Sequence, residues 1–164
     1  MIRRIALTRG LEATIDEDDY DLVKERTWHA LAASNRKGWY AATNMPVGRC
    51  QYKIVRMHRL ILGIKDGRLV DHRNRDGLDN RRDNLRIANH TQNRANAIGR
   101  GVSPYRGVTY EPKRNSARPW VANLWSGRRV KRLGCFETQE EAALAYNVAA
   151  RDAFGEFAFI NIPV

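Results

Sequence analysis

Apolar residues in positions 1–60 come in short alternating runs broken by turn residues, a pattern of strands rather than long helices. Ile5-Ala6-Leu7 precedes a turn at Arg9-Gly10, and Ala13-Thr14-Ile15 precedes an acidic run. Asp18 to Val23 reads as a short helix whose acids favour its N-terminal end. Trp28, Trp39-Tyr40-Ala41-Ala42 and Tyr52-Lys53-Ile54-Val55 predict further strands, with turns at Lys37-Gly38 and Gly48. Aromatics in such runs are expected in a core rather than as base-stacking platforms. His58-Arg59-Leu60-Ile61-Leu62 then leads through Gly63 and Gly67 to a strand at Leu69–His72 and a second at Leu85–Ala88. Asn89 is a helix cap with Gln92 in the capping-box position, and the helix should run to about Ala97.

The segment from Gly99 to Pro104 is the clearest boundary. Beyond it, Tyr105-Arg106-Gly107-Val108 opens a strand. Trp120 to Trp125 alternates, with Trp120, Ala122 and Leu124 on one face and Val121, Asn123 and Trp125 on the other. Val130 to Leu133 forms a third strand after Ser126-Gly127. Thr138 caps an alanine-rich helix, with Glu141 completing a capping box and Gly155 ending it. The expected class is α+β, with small antiparallel strands first and then a three-stranded antiparallel sheet packed on one helix. The expected domains are 1–100 and 103–164.

Charge sharpens this picture. The 164 residues carry a formal net charge of +11 and are 43% hydrophobic, enough for a real core. Residues 1–25 hold seven acids, whereas Arg26 to Arg100 hold sixteen Lys/Arg against five. Residues 101–132 hold eight Lys/Arg and one acid, Glu111; from Gly134 onward there are five acids and one Arg. A basic sheet backed by an acidic helix must turn the sheet toward a polyanion, with nucleic acid the first candidate. Cys50 and Cys135 form no Cys-x-x-Cys pair, which excludes a zinc ribbon and predicts reduced, partly buried thiols. No segment reads as a signal peptide or membrane span, so a cytoplasmic protein is expected.

The densest chemistry lies in VDHRNRDGLDNRRDNLRIANHTQNRANA, from Val70 to Ala97. Asp71 and His72 are adjacent, Asn84 follows the histidine by twelve residues, and Asn93 lies nine further on. Such a set can hold one hard cation on oxygen ligands and keep a neutral imidazole as a base, which suffices to hydrolyse a phosphodiester. Neighbours in a regular strand point to opposite faces, so Asp71 and His72 share a site only where the strand ends or bends. No G-x-x-x-x-G-K phosphate loop and no Ser-His-Asp signature is present.

Residue for residue, this segment resembles the His-Asn-His (HNH) nuclease motif in its His-Asn-Asn form, found in phage and intron homing endonucleases. The resemblance implies a ββα-metal module, with His72 as general base and Asp71 and Asn93 as ligands of Mg²⁺ (or Mn²⁺). It implies that Asn84 holds the turn or orients His72, with Asn80 a weaker claimant. Arg73, Arg75, Arg81 and Arg82 around the hairpin are expected at DNA phosphates, and Arg86 with them. His58, His90, Asn74, Asn89 and Asn96 are expected in structural or DNA-contacting roles.

YRGV at Tyr105–Val108, WVANL at Trp120–Leu124, LGCFETQEEAALAYNVAA at Leu133–Ala150 and NIP before Val164 occur in order. These blocks resemble the APETALA2-type DNA-binding domain, whose three-stranded sheet lies in the major groove of duplex DNA. The resemblance puts Arg106 at the family's first arginine contact and Thr109, Glu111, Asn123, Trp125 and Arg132 at further outward positions. Several of these depart from the plant pattern, so the plant target sequence does not carry over. The whole reads as a metal-dependent endonuclease cutting double-stranded DNA, compatible with a monomer. A non-catalytic DNA-binding regulator and an RNA-binding protein are the alternatives.

Overall fold

A computed structural model describes residues 1–33, 38–97, 102–112, 117–127 and 129–162. It divides into two compact units, Met1–Ala88 and Asn89–Val164. Both mix small antiparallel sheets with few helices, the α+β class expected. Lys37, part of one expected turn, and Gly99, part of the expected boundary, lie outside the described residues.

In the first unit, β1 (Ile2–Ala6) pairs with β2 (Glu12–Asp16). A 3-10 turn at Glu17–Asp19 runs into α1 (Tyr20–Val23), where the acidic run was expected to start a helix. β3 (His29–Ala32), β4 (Trp39–Gly48) and β5 (Gln51–Arg56) form a sheet in that order. α2 (Met57–Ile61) then precedes the hairpin of β6 (Leu69–His72) and β7 (Leu85–Ala88). Ala13, Ile15, Val23, Trp28, Ala41, Met57, Ile61 and Leu85 form the core beneath them. Burial of these apolar side chains is the main stabilising term, at roughly 25 cal/mol per Å² removed from water. Two side chains break the sequence expectation. Tyr52 is 68% exposed on β5, and Cys50 is exposed in the tight β4–β5 turn at φ 61° rather than partly buried.

The long segment between β6 and β7 is not a loose loop. Leu78 O accepts from Thr14 N at 2.8 Å and Asn80 N donates to Thr14 O at 2.7 Å, which joins the turn to β2. Arg82 adds an ion pair to buried Asp19 at 2.6 Å, and Asp16 accepts from Arg82 N at 2.8 Å.

The second unit opens with α3 (His90–Ala95), capped reciprocally by Asn89 and Gln92. The helix stops two residues short of the expected end. β8 (Val108–Tyr110), β9 (Trp120–Ser126) and β10 (Arg129–Phe136) form a sheet in the order β10-β9-β8, and α4 (Gln139–Phe154) packs behind it. The first strand starts at Val108 rather than Tyr105, because Gly107 takes φ 75° in a turn. Any Cβ there would lie 2.3 Å from the Tyr146 ring, so only glycine fits. Val108, Ala122 and Leu124 meet Ala142, Ala143, Tyr146 and Ala150 of α4, and the small residues of α4 permit the close approach. Thr138 accepts from Glu141 N at 3.2 Å, while the Glu141 side chain accepts from Glu137 N, one residue before the cap. Among the described residues no helix is long and apolar enough to cross a membrane.

Candidate active site and nucleic-acid interface

β6 ends at His72, and its last two residues face different surroundings. Asp71 pairs across the hairpin with Arg86, as the register requires. The Asp71 Oδ2 atom accepts from Arg86 Nε at 2.8 Å and from Nη2 at 2.6 Å, with both side chains only 7% exposed. Arg86, expected at phosphates with its neighbours, is thus a buried counter-ion of the proposed ligand.

His72 is 5% exposed and lies in a ring cluster. The His58 ring stands edge-on to it at 5.0 Å between centroids, and Tyr40 lies 5.8 Å from His72 and 5.7 Å from His58. Burial pushes the His72 imidazole below its ordinary range, against the side chain of Asn80 and the charges of Asp71, Asp76 and Asp79. His58 is pushed down to about 2, by burial first and then by the charges of His72, Arg56 and Arg59. Both rings are therefore neutral near pH 7. His58 Nδ1 is buried with no hydrogen-bond partner among the described residues.

Asn84 uses its polar groups to clasp the turn. Its Oδ1 accepts from Asn74 N at 3.0 Å, its Nδ2 donates to Asp79 O at 2.7 Å, and its carbonyl accepts from Arg73 N at 2.9 Å. These bonds fix the backbone immediately after His72. Asn80 is fully buried, donates to Leu78 O at 3.0 Å and lies beside His72. Arg81 is held by Asp79 at 2.7 Å, and Arg82 by Asp19 and the Ile61 carbonyl. The two arginines thus brace the turn. Arg73 and Arg75 are exposed, Arg75 at φ 67°. Asn93 is exposed on α3 and belongs to the second unit.

In the second unit, cross-strand register puts Thr109, Val121 and Cys135 in one row, Asn123 beside Arg132, and Trp125 beside Val130. This is the face away from α4. Trp125 is 57% exposed, and Asn123 donates to Thr109 at 3.4 Å. Arg132 pairs with Glu111 at 3.3 Å, so the one acid of this region neutralises it. Arg106, expected on the same face, is directed elsewhere. Its Nε donates to Tyr146 Oη at 2.6 Å, and its two remaining nitrogens donate to the Ala97 and Arg94 carbonyls at the end of α3.

Sequence reasoning missed the partners more than the residues. Pairing the two expected strands with Leu69 opposite Ala88 already places Asp71 opposite Arg86. Nothing local pointed to the contacts of Tyr40 or His58, which reach His72 from β4 and α2.

Comparison with known proteins gives similarities of two kinds. An uncharacterised HNH endonuclease of Acanthamoeba polyphaga mimivirus is 27% identical over 153 residues, covering 93% of this chain and 76% of that protein. Dehydration-responsive element-binding protein 2E of Oryza sativa subsp. japonica is 44% identical over 61 residues, 36% of this chain and 18% of that protein. AP2-like ethylene-responsive transcription factor CRL5 of the same plant is 39% identical over 77 residues, 46% of this chain and 12% of that protein. The chain thus spans less than a fifth of either plant relative's length. No protein-family model and no solved structure matches the chain. The similarities match the composition that the motifs imply, an HNH-like chain with an APETALA2-like part.

Proposed function

We propose that the protein is a metal-dependent DNA endonuclease in which the hairpin region with α3 cuts and residues 103–164 dock on duplex DNA. The observation that carries the reading is the clasp around His72: a buried imidazole at a strand end, walled by Tyr40 and His58, with Asn84 pinning the following turn. A group so fixed needs no reorganisation to take a proton. His72 accepts the proton of a water attacking the scissile phosphorus in line, and the products carry a 5′ phosphate and a 3′ hydroxyl.

The Asp71 carboxylate and the Asn93 amide are hard oxygen donors of the kind Mg²⁺ or Mn²⁺ takes. The Asp71 carboxylate, already bonded to the Arg86 guanidinium, would be shared between that guanidinium and the cation. A bound cation would supply positive charge to the phosphate and the departing 3′ oxygen. Among the described residues no group of three or more His, Cys, Asp or Glu could hold a metal, so the donor set would lean on amide and substrate oxygens. Arg73 and Arg75 carry exposed charge next to His72 in sequence and are assigned to phosphates.

One observation favours a second reading. The buried Asp71–Arg86 pair already neutralises the carboxylate, as in a protein that binds DNA without cutting it. Incubation with Mg²⁺ and a duplex library, with cuts mapped on both strands, separates the two. Recurrent cuts at a preferred sequence support the nuclease; retention of duplex without cuts supports the regulator.

A further inference from the structure

α3 is too short to stand by itself. Isolated helices below about 12–15 residues are marginal in water, and α3 has six. Its order must come from what it packs on, and it packs on α4 and the 3-10 turn at Gly155–Phe157. Ala95 is buried there, and its carbonyl accepts from Phe159 N at 3.1 Å. Arg106 adds bonds at this end, where carbonyls are short of intrahelical partners: it donates to Ala97 O and to Arg94 O, which also accepts from Ala97 N at 3.2 Å. A guanidinium at a helix C-terminus is favoured both by the macrodipole and by charge-assisted hydrogen bonding.

Arg106 is itself anchored on every side. Its Nε is held by Tyr146 Oη at 2.6 Å, within the core of α4. Its backbone N donates to Asn161 Oδ1 at 2.7 Å, and its carbonyl accepts from Asn161 Nδ2 at 3.1 Å. Asn161 is in turn locked to buried Asn147 by bonds of 2.8 and 2.9 Å. The bonds therefore run from buried Tyr146 of α4 through part-buried Arg106 to carbonyls at the exposed end of α3.

We infer that Arg106 is a positioning residue: it clamps α3, and Asn93 with it, to the C-terminal sheet-and-helix module instead of reading DNA in the groove. The functional part of this inference rests on the assignment of Asn93 as a metal ligand. Its consequence is that Asn93 moves with the docking module.

The test compares Arg106→Lys and Arg106→Ala with the intact chain. Lysine keeps the charge but loses the planar fork that reaches three acceptors. The clamp predicts that both variants raise amide exchange across residues 90–97 at least tenfold while α4 stays protected, which also shows that the module remains folded. It predicts that cleavage at saturating DNA falls at least tenfold in both, with duplex affinity and its salt slope nearly unchanged. A milder variant, Tyr146→Phe, removes one anchor and keeps the ring, and should shift exchange in the same direction by less. Unchanged exchange in Arg106→Lys overturns the clamp. So does wild-type exchange in Arg106→Ala combined with a salt slope shallower by about 1, the signature of a lost phosphate contact. If the wild-type chain cuts no duplex, the nuclease reading fails while the exchange data still decide whether Arg106 holds α3.

Discussion

The β6–β7 hairpin and the β8–β10 sheet are both small antiparallel sheets rich in polar residues, and they dispose of those residues in opposite ways. The hairpin buries them: Asp71, His72, Asn80, Asn84 and Arg86 are each less than 9% exposed. The C-terminal sheet buries an apolar face against α4 and leaves Thr109, Trp125 and Arg132 outward. A buried polar group costs free energy unless it is paired, and the bonds of Asp71, Asn84 and Arg86 leave these residues little freedom. That suits a group whose position must be right when a bond breaks. An outward face can adjust to a groove, and Arg132 shows the corresponding weakness, since its charge is shared with Glu111.

If the hairpin is a preorganised cutting site, its dependence on metal should be the largest effect. Cleavage should vanish in EDTA and return with Mg²⁺ or Mn²⁺, while duplex binding by the outward face persists; cutting in excess chelator separates Asp71 and Asn93 from catalysis. Next, Arg86→Met takes the guanidinium away from the buried Asp71 carboxylate. Removing one partner of such a pair costs about 3–5 kcal/mol, measurable by denaturant unfolding, and Mg²⁺ should restore part of it by binding the folded state. A loss below about 1 kcal/mol would mean that the carboxylate finds water. Asn84→Ala strands the Asn74 N–H and the Asp79 carbonyl, and should cost about 2 kcal/mol with a fall in cleavage but not in affinity. An affinity loss as large as the cleavage loss would place Asn84 on DNA instead. The smallest effect belongs to the sheet. Glu111→Ala releases Arg132 from an exposed pair worth about 0–1 kcal/mol, so duplex affinity should rise a few-fold at low salt and the gain should fade as salt rises. No gain, or a loss, would show that Glu111 itself contacts DNA.

The same contrast governs what could be read from the chain. Alternation from Trp120 to Trp125 and the Asn89–Gln92 cap are local patterns, and the sheet and α3 followed from them. The twelve-residue spacing of His72 and Asn84 marked the hairpin, because a clasp across one turn is local too. The rest depends on distant residues. Arg82 meets Asp19 from 63 positions away, and Arg106 meets Asn161 from 55. Both look like solvent-facing basic residues in sequence, since charge says nothing about whether a partner waits across the fold. The contact of His58 with His72 escaped for a similar reason: an imidazole that packs by its edge leaves no spacing to detect.

If His72 is the base of a DNA-cutting hairpin, the loss must appear in single-turnover cleavage of bound duplex by His72→Ala in Mg²⁺. Cleavage should fall roughly 10²–10⁴-fold, the usual contribution of a general base, with duplex affinity nearly unchanged. Cleavage at the wild-type rate by His72→Ala would contradict it, and the buried ring cluster would then be part of the core alone.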